Sequence, residues 1–229
     1  SMRTERVIFT GGEPLIRKDL SQLIRRATSL KMKVHINSNG TLVPKLLEEL
    51  RPISALTISL DGDRNVHDRI RGAGAFDAAL VALRAAKTLP SVKVRLTAVI
   101  SSDSIGAEDA LLDVARREGV DVFFQPAEHR LLGSDEPNPI APPIARYRET
   151  IDHLIAEKEG GAPIANSLSA LRFLQKWPDG PALPCAGSKL FCRLDYDGRV
   201  MICGRMGEYE ESYSALDLGF REAFMKLNE

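Results

Sequence analysis

The sequence predicts an α/β fold: a partial (β/α) barrel with parallel strands, followed by a small C-terminal hairpin-plus-helix module. Three observations carry this. Strand-like and helix-like patterns alternate through the first two thirds of the chain. The strand-like runs are apolar, as in parallel sheets covered by helices. Polar and glycine-rich stretches also follow those runs, at the strand ends where parallel barrels display their chemistry.

The strand-like runs are 7–10, 33–37, 55–60, 92–100 and 120–125, and helical periods occupy 20–30, 43–50, 75–89 and 107–119. Asp19 suits a helix N-cap, and Gly119 suits the left-handed residue past a helix end. No Gly-x-Gly-x-x-Gly follows any strand, so a dinucleotide-binding fold has no support. Pro126, Pro137, Pro139, Pro142 and Pro143 mark a linker, and helical patterns follow at 144–158 and 168–177. Pro178, Gly180, Pro181 and Pro184 mark a second boundary. The expected division is a barrel over 1–126, linker and helices over 127–180, and a cysteine module over 181–229.

Lys+Arg and Asp+Glu both number 31 in 229 residues. This balance gives no basic excess for nucleic acid and no polybasic block for an anionic membrane. No apolar run is long enough to cross a bilayer, and no signal-peptide core is visible. The three cysteines, Cys185, Cys192 and Cys203, cluster in the last fifth of the chain. An odd cluster without a secretion signal points to metal or redox chemistry in the cytoplasm rather than to a disulfide framework.

The run Val7-Ile8-Phe9-Thr10 opens into Gly11-Gly12-Glu13-Pro14. Gly11 and Gly12 let a ligand approach the backbone, and Glu13 adds a carboxylate at a strand's C-terminal end. That corner suits an ammonium group. Asn37-Ser38-Asn39-Gly40, Ser59-Leu60-Asp61-Gly62 and His67-Asp68-Arg69-Ile70-Arg71-Gly72 follow the next two strands. Each alone has an ordinary reading: a turn for Asn39-Gly40 or Asp61-Gly62, a helix-end charge for Glu13, a surface residue for His67. Their order after successive strands resembles the radical S-adenosylmethionine (SAM) superfamily, whose Gly-Gly-Glu-Pro corner holds the methionyl amine.

The resemblance implies a TIM-like partial barrel of which strands 2 to 6 are present. It assigns Gly11, Gly12 and Glu13 to the amine of S-adenosylmethionine, and Asn39, Ser59 and Asp61 to its ribose or carboxylate. Arg71 would meet the carboxylate, Ile100 would touch adenine, and backbone near Gln125 would bond its edge. The family's catalytic [4Fe–4S] cluster sits on a Cys-x3-Cys-x2-Cys loop upstream, whereas the nine residues before Thr10 contain no cysteine. The expectation is therefore a chain without the first strand and its cluster, unable to make the 5′-deoxyadenosyl radical. Its 7–10 strand edge would be left for homo-oligomerisation or another cover.

Residues 190–196 and 199–202 alternate around Asp197-Gly198 like a hairpin, which would bring Cys192 near Cys203. Thiolates suit iron–sulfur or zinc sites. Twelve residues separate Cys185 from Gly198, and four separate Gly198 from Cys203. This spacing is similar to the opening of a SPASM or Twitch module, which implies an auxiliary [4Fe–4S] cluster on Cys185, Cys192 and Cys203. The resemblance further implies an electron donor and a small-molecule or peptide substrate, for cofactor or peptide maturation. No catalytic residue can be named from the sequence. Two rival readings stay open: a non-catalytic remnant that binds an adenosyl ligand or a peptide, and a partial barrel with a structural zinc hairpin.

Overall fold

The computed structural model describes residues 3–131, 134, 136–180, 186–203 and 212–228. The described residues divide into two compact units, one comprising Arg3–Ala127 and Pro142–Pro178, the other drawn from Glu128–Ala141 and Asp179–Glu229.

The first unit holds a five-stranded parallel sheet in sequential order: β1 (Arg6–Phe9), β2 (Lys33–Ser38), β3 (Ala55–Ser59), β4 (Lys93–Ile100) and β5 (Val122–Pro126). Its connections carry α1 (Leu20–Ser29), α2 (Leu47–Leu50), α3 (Arg64–Arg71), α4 (Ala75–Ala86) and α5 (Glu108–Glu118), and α6 (Ile144–Glu159) and α7 (Leu168–Leu174) follow β5. Val34, Ile36, Leu56, Ile58, Leu96, Ile100, Val122 and Phe124 form one core with Ile24 of α1, Leu83 of α4 and Leu111 and Leu112 of α5. The opposite face of the sheet is a different surface. In β2 and β4 the buried residues alternate with more open ones, among them Lys33, His35, Asn37, Lys93 and Arg95. One face is packed by helices and the other is polar, so the apolar reading of the strands holds only for alternate positions.

Local chemistry explains where elements depart from expectation. The helical period 43–50 divides into a 3₁₀ turn, Val43–Lys45, with Pro44 in its first turn, and the single turn of α2. Asp19 precedes α1 without capping it, since its carboxylate is taken by Arg17 at 2.6 Å. Gly119 ends α5 at φ 66°, as its position foretold. Helix α3 went unread in the sequence; Asp63 caps it by accepting from Val66 N at 2.9 Å. The outer edge of β5 is closed by residues 163–166. Val122 N donates to Pro163 O, and Ala165 N donates to Val122 O. The side-chain amide of Asn166 then bonds both the N–H and the carbonyl of Phe124, at 2.8 and 2.9 Å.

The second unit holds a three-stranded antiparallel sheet of β6 (Arg193–Leu194), β7 (Arg199–Met201) and β8 (Tyr213–Ser214), then α8 (Ala215–Leu218) and α9 (Phe220–Lys226). The Asp197-Gly198 hairpin forms as read, with Gly198 at φ 86°; the two-residue β8 was too short to show in the sequence. Val200, Ala223 and Leu227 make its small core. Among the described residues no helix is long and apolar enough to cross a membrane.

Candidate S-adenosylmethionine corner at the strand ends

The turn after β1 is organised by Glu13. Oε1 accepts from Leu15 N at 3.1 Å and from Ser38 Oγ at 2.9 Å, and Oε2 accepts from Asn39 N at 2.7 Å. One carboxylate thus caps the 3₁₀ turn Pro14–Ile16 and ties the end of β1 to the end of β2. A carboxylate has about four lone-pair sites, so three donors leave room at Oε2 for one more. Ser38 Oγ also accepts from Gly40 N at 3.0 Å, and Asn39 Oδ1 accepts from Thr41 N at 2.9 Å. Gly11 sits at φ 125°, a conformation open to glycine but costly for other residues. A Cβ added at Gly11 or Gly12 would meet no atom within 4 Å, so this stretch of backbone faces open space.

The second cluster lies after β3. Asp61 is buried, its Oδ1 accepting from Val99 N at 3.0 Å and its Oδ2 from Arg71 Nε at 2.5 Å. His67 is buried beside it, and its Nδ1 accepts from Asp61 N at 3.1 Å. Burial lowers the His67 pKa, and Arg71 adds to this, against the raising influence of Asp61 and Asp68. The ring is therefore neutral, with its proton on Nε2.

Of the residues assigned from sequence, Gly11, Gly12, Glu13 and Asn39 come together at the ends of β1 and β2. Ser59 closes β3, half-buried. Asp61 and Arg71 are joined to each other through the Arg71 Nε, while the Arg71 side chain, 33 % exposed, keeps its terminal N–H groups. Ile100 is 2 % exposed and packs in the core, lining a small hollow with Asp61, Val99 and Phe124. Gln125 is exposed on β5. Ser38 was missed as a site residue; its place inside Asn37-Ser38-Asn39-Gly40 was the available signal. Cys192 and Cys203 are half-buried in and after the hairpin, and burial raises the Cys192 thiol pKa. The β6–β7 register pairs Arg193 with Met201, which brings Cys192 and Cys203 to the same end of the hairpin. Cys185 lies outside the described residues. No group of three His, Cys, Asp or Glu among the described residues could hold a metal ion.

Residues 1–102 match the model of the Radical SAM superfamily. Fe-coproporphyrin III synthase of Methanosarcina barkeri is 36% identical over 118 residues, covering 50% of this chain and 29% of that protein. The mycofactocin maturase MftC of Mycolicibacterium smegmatis is 24% identical over 208 residues, covering 84% of this chain and 50% of that one. The chain thus spans half or less of the length of these two curated relatives. The solved structure of native anSMEcpe with bound AdoMet superposes with a TM-score of 0.71 at 16% identity, over 96% of this chain and 66% of that one. Residues 1–102 thus match a radical SAM superfamily domain, and the five-stranded parallel sheet has the partial-barrel fold of that solved structure.

Proposed function

We propose that this chain is part of a radical S-adenosylmethionine enzyme of the cofactor- or peptide-maturing kind, with the corner at Gly11, Gly12 and Glu13 as its S-adenosylmethionine site. The observation that carries this is the Glu13 carboxylate. Three donors fix it in place at the C-terminal ends of β1 and β2, and one lone-pair site remains beside open glycine backbone. An ammonium group satisfies that remaining site, and a fixed acceptor loses little entropy in binding it. Asn39 and Ser59 stand on the neighbouring strand ends to meet ribose hydroxyls. The bound cofactor, with a reduced iron–sulfur cluster, supplies radical chemistry for hydrogen abstraction from a small-molecule or peptide substrate. The residues of this chain bind, orient and exclude water.

The cluster itself finds no ligand set among the described residues, and the 184 residues before Cys185 contain no cysteine. We read the 229 residues, taken alone, as binding S-adenosylmethionine without cleaving it. The auxiliary cluster is assigned to Cys185, Cys192 and Cys203.

Calorimetric titration with S-adenosylmethionine tests the site. Saturable binding is expected, weakened at least about tenfold in Glu13→Gln, which removes one unit of charge-assisted bonding. Equal affinity in the variant would remove the proposal. Release of 5′-deoxyadenosine by the reduced, anaerobically reconstituted chain would overturn the binding-only reading.

A further inference from the structure

The five strands contain Arg6, Lys33, His35, Lys93 and Arg95 and no acidic residue, and one acid, Asp121, stands just before β5 in register with Arg95 without an ion pair to it. These four cations and the imidazole share one parity. In register, Arg6 pairs with Lys33, His35 with Ala55, Ala55 with Lys93, and Thr57 with Arg95. Paired residues of adjacent parallel strands point the same way. The neighbours of opposite parity, such as Val34, Leu56 and Leu96, lie in the helix-packed core, so the cations occupy the helix-free face. Arg6, Lys33 and Arg95 all act on the His35 imidazole, which places them around it.

Arg6, Lys33 and Lys93 are exposed, and water satisfies them. Arg95 is different. It is half-buried, and its Nε is sealed from solvent without a hydrogen-bond partner. No ion pair joins Arg95 to any carboxylate among the described residues. Buried guanidinium nitrogens almost always have an acceptor, so this one lacks a partner that the described residues do not supply. Apolar side chains flank the cations on the outer strands, Ile8 on β1 and Phe123 on β5, both exposed. Toward the strand ends the same face turns neutral and polar, through Asn37, Thr57, Ser59 and Thr97.

We propose that this face binds the substrate and that Arg95, backed by His35 and its neighbouring cations, holds a carboxylate on an otherwise apolar substrate body. The identification of the ligand as a substrate rests on the proposed function; the anion site rests on the unbonded Nε of Arg95 and the cations around it. A planar guanidinium takes a carboxylate in a forked pair of hydrogen bonds.

The test uses coproporphyrin III as a fluorescent tetracarboxylate probe and its tetramethyl ester as the neutral twin. The full chain is expected to bind the acid saturably. The ester and the Arg95→Gln variant should each weaken binding at least about tenfold, and Arg95→Lys should fall between. Arg95→Gln should also melt higher, by about 2–4 °C, because it removes a desolvated cation without a partner. A structural arginine would do the reverse. Binding of S-adenosylmethionine should be unchanged in Arg95→Gln, and its absence would sink the cofactor site while leaving the anion site intact. No saturable binding of the acid, equal binding of acid and ester, unchanged affinity in Arg95→Gln, or a lower melting temperature would overturn the proposal.

Discussion

Arg71, in the last turn of α3, donates its Nε to the buried carboxylate of Asp61 at the end of β3. The pair is asymmetric: the Asp61 side chain is 3 % exposed and that of Arg71 33 %. Removing the arginine leaves a buried charge with Val99 N–H as its remaining donor, whereas removing the acid leaves an arginine that water can reach. Arg71→Ala should therefore cost about 2–3 kcal/mol, with Asp61→Asn the milder change. Urea unfolding of both variants checks the order, and a larger loss in Asp61→Asn would reverse the assignment of which partner is stranded.

His67 and His35 make the fold sensitive to mild acid. Burial is the first cause in each, and both pKa values lie below the usual 6.5. A histidine with a lowered folded pKa binds fewer protons than the unfolded chain just below pH 6.5. Its contribution is whole above that pH and is lost as pH falls through the folded value. Stability should fall between pH 7 and 5, ahead of the window where Asp68 and other carboxylates protonate. In His67→Gln, whose amide oxygen can still accept from Asp61 N, denaturation midpoints should depend less on pH. An unchanged slope would place the effect on His35 alone.

Gly12→Ala separates binding from folding. A Cβ there meets nothing within 4 Å, so stability should stay within about 0.5 kcal/mol of the parent. The same methyl intrudes where a ligand would approach the backbone, so affinity for S-adenosylmethionine should drop by about tenfold. Thermal melts and calorimetry on one sample decide it; parental affinity would move the ligand away from this corner.

Cys192 gives a readout of the hairpin's chemistry. After anaerobic reconstitution with iron and sulfide, the chain should bind iron, and Cys192→Ser should lose most of it together with the visible absorbance. Zinc uptake without iron would favour the structural-zinc reading instead.

Asn166→Ala should cost about 2–4 kcal/mol, because it strands both the N–H and the carbonyl of Phe124 in the core. Urea unfolding measures it. A cost below about 1 kcal/mol would mean that water replaces the amide.

The parallel sheet and the Gly11-Gly12-Glu13 corner were legible because they rest on local patterns: apolar runs, a glycine pair and the order of short motifs. Helix α3 was not, since its buried residue is a histidine among charged neighbours and it lacks an apolar stripe. Nor was the Asp61–Arg71 pair, in which the Arg71 Nε bonds Asp61; sequence order assigned both to a ligand and showed no bond between them. Ile100 was placed by its position at a strand end, but strand parity turns its side chain into the core and leaves Val99 on the open side. Arg95 escaped notice because an arginine in a strand reads as ordinary until its missing acceptor is seen.

The segment that closes β5 has a consequence for self-association. With Asn166 bonding both backbone groups of Phe124, a strand from another copy could not add along β5 at that point without first displacing the amide. That side of the sheet is closed to edge-to-edge pairing by a side chain rather than by a further strand.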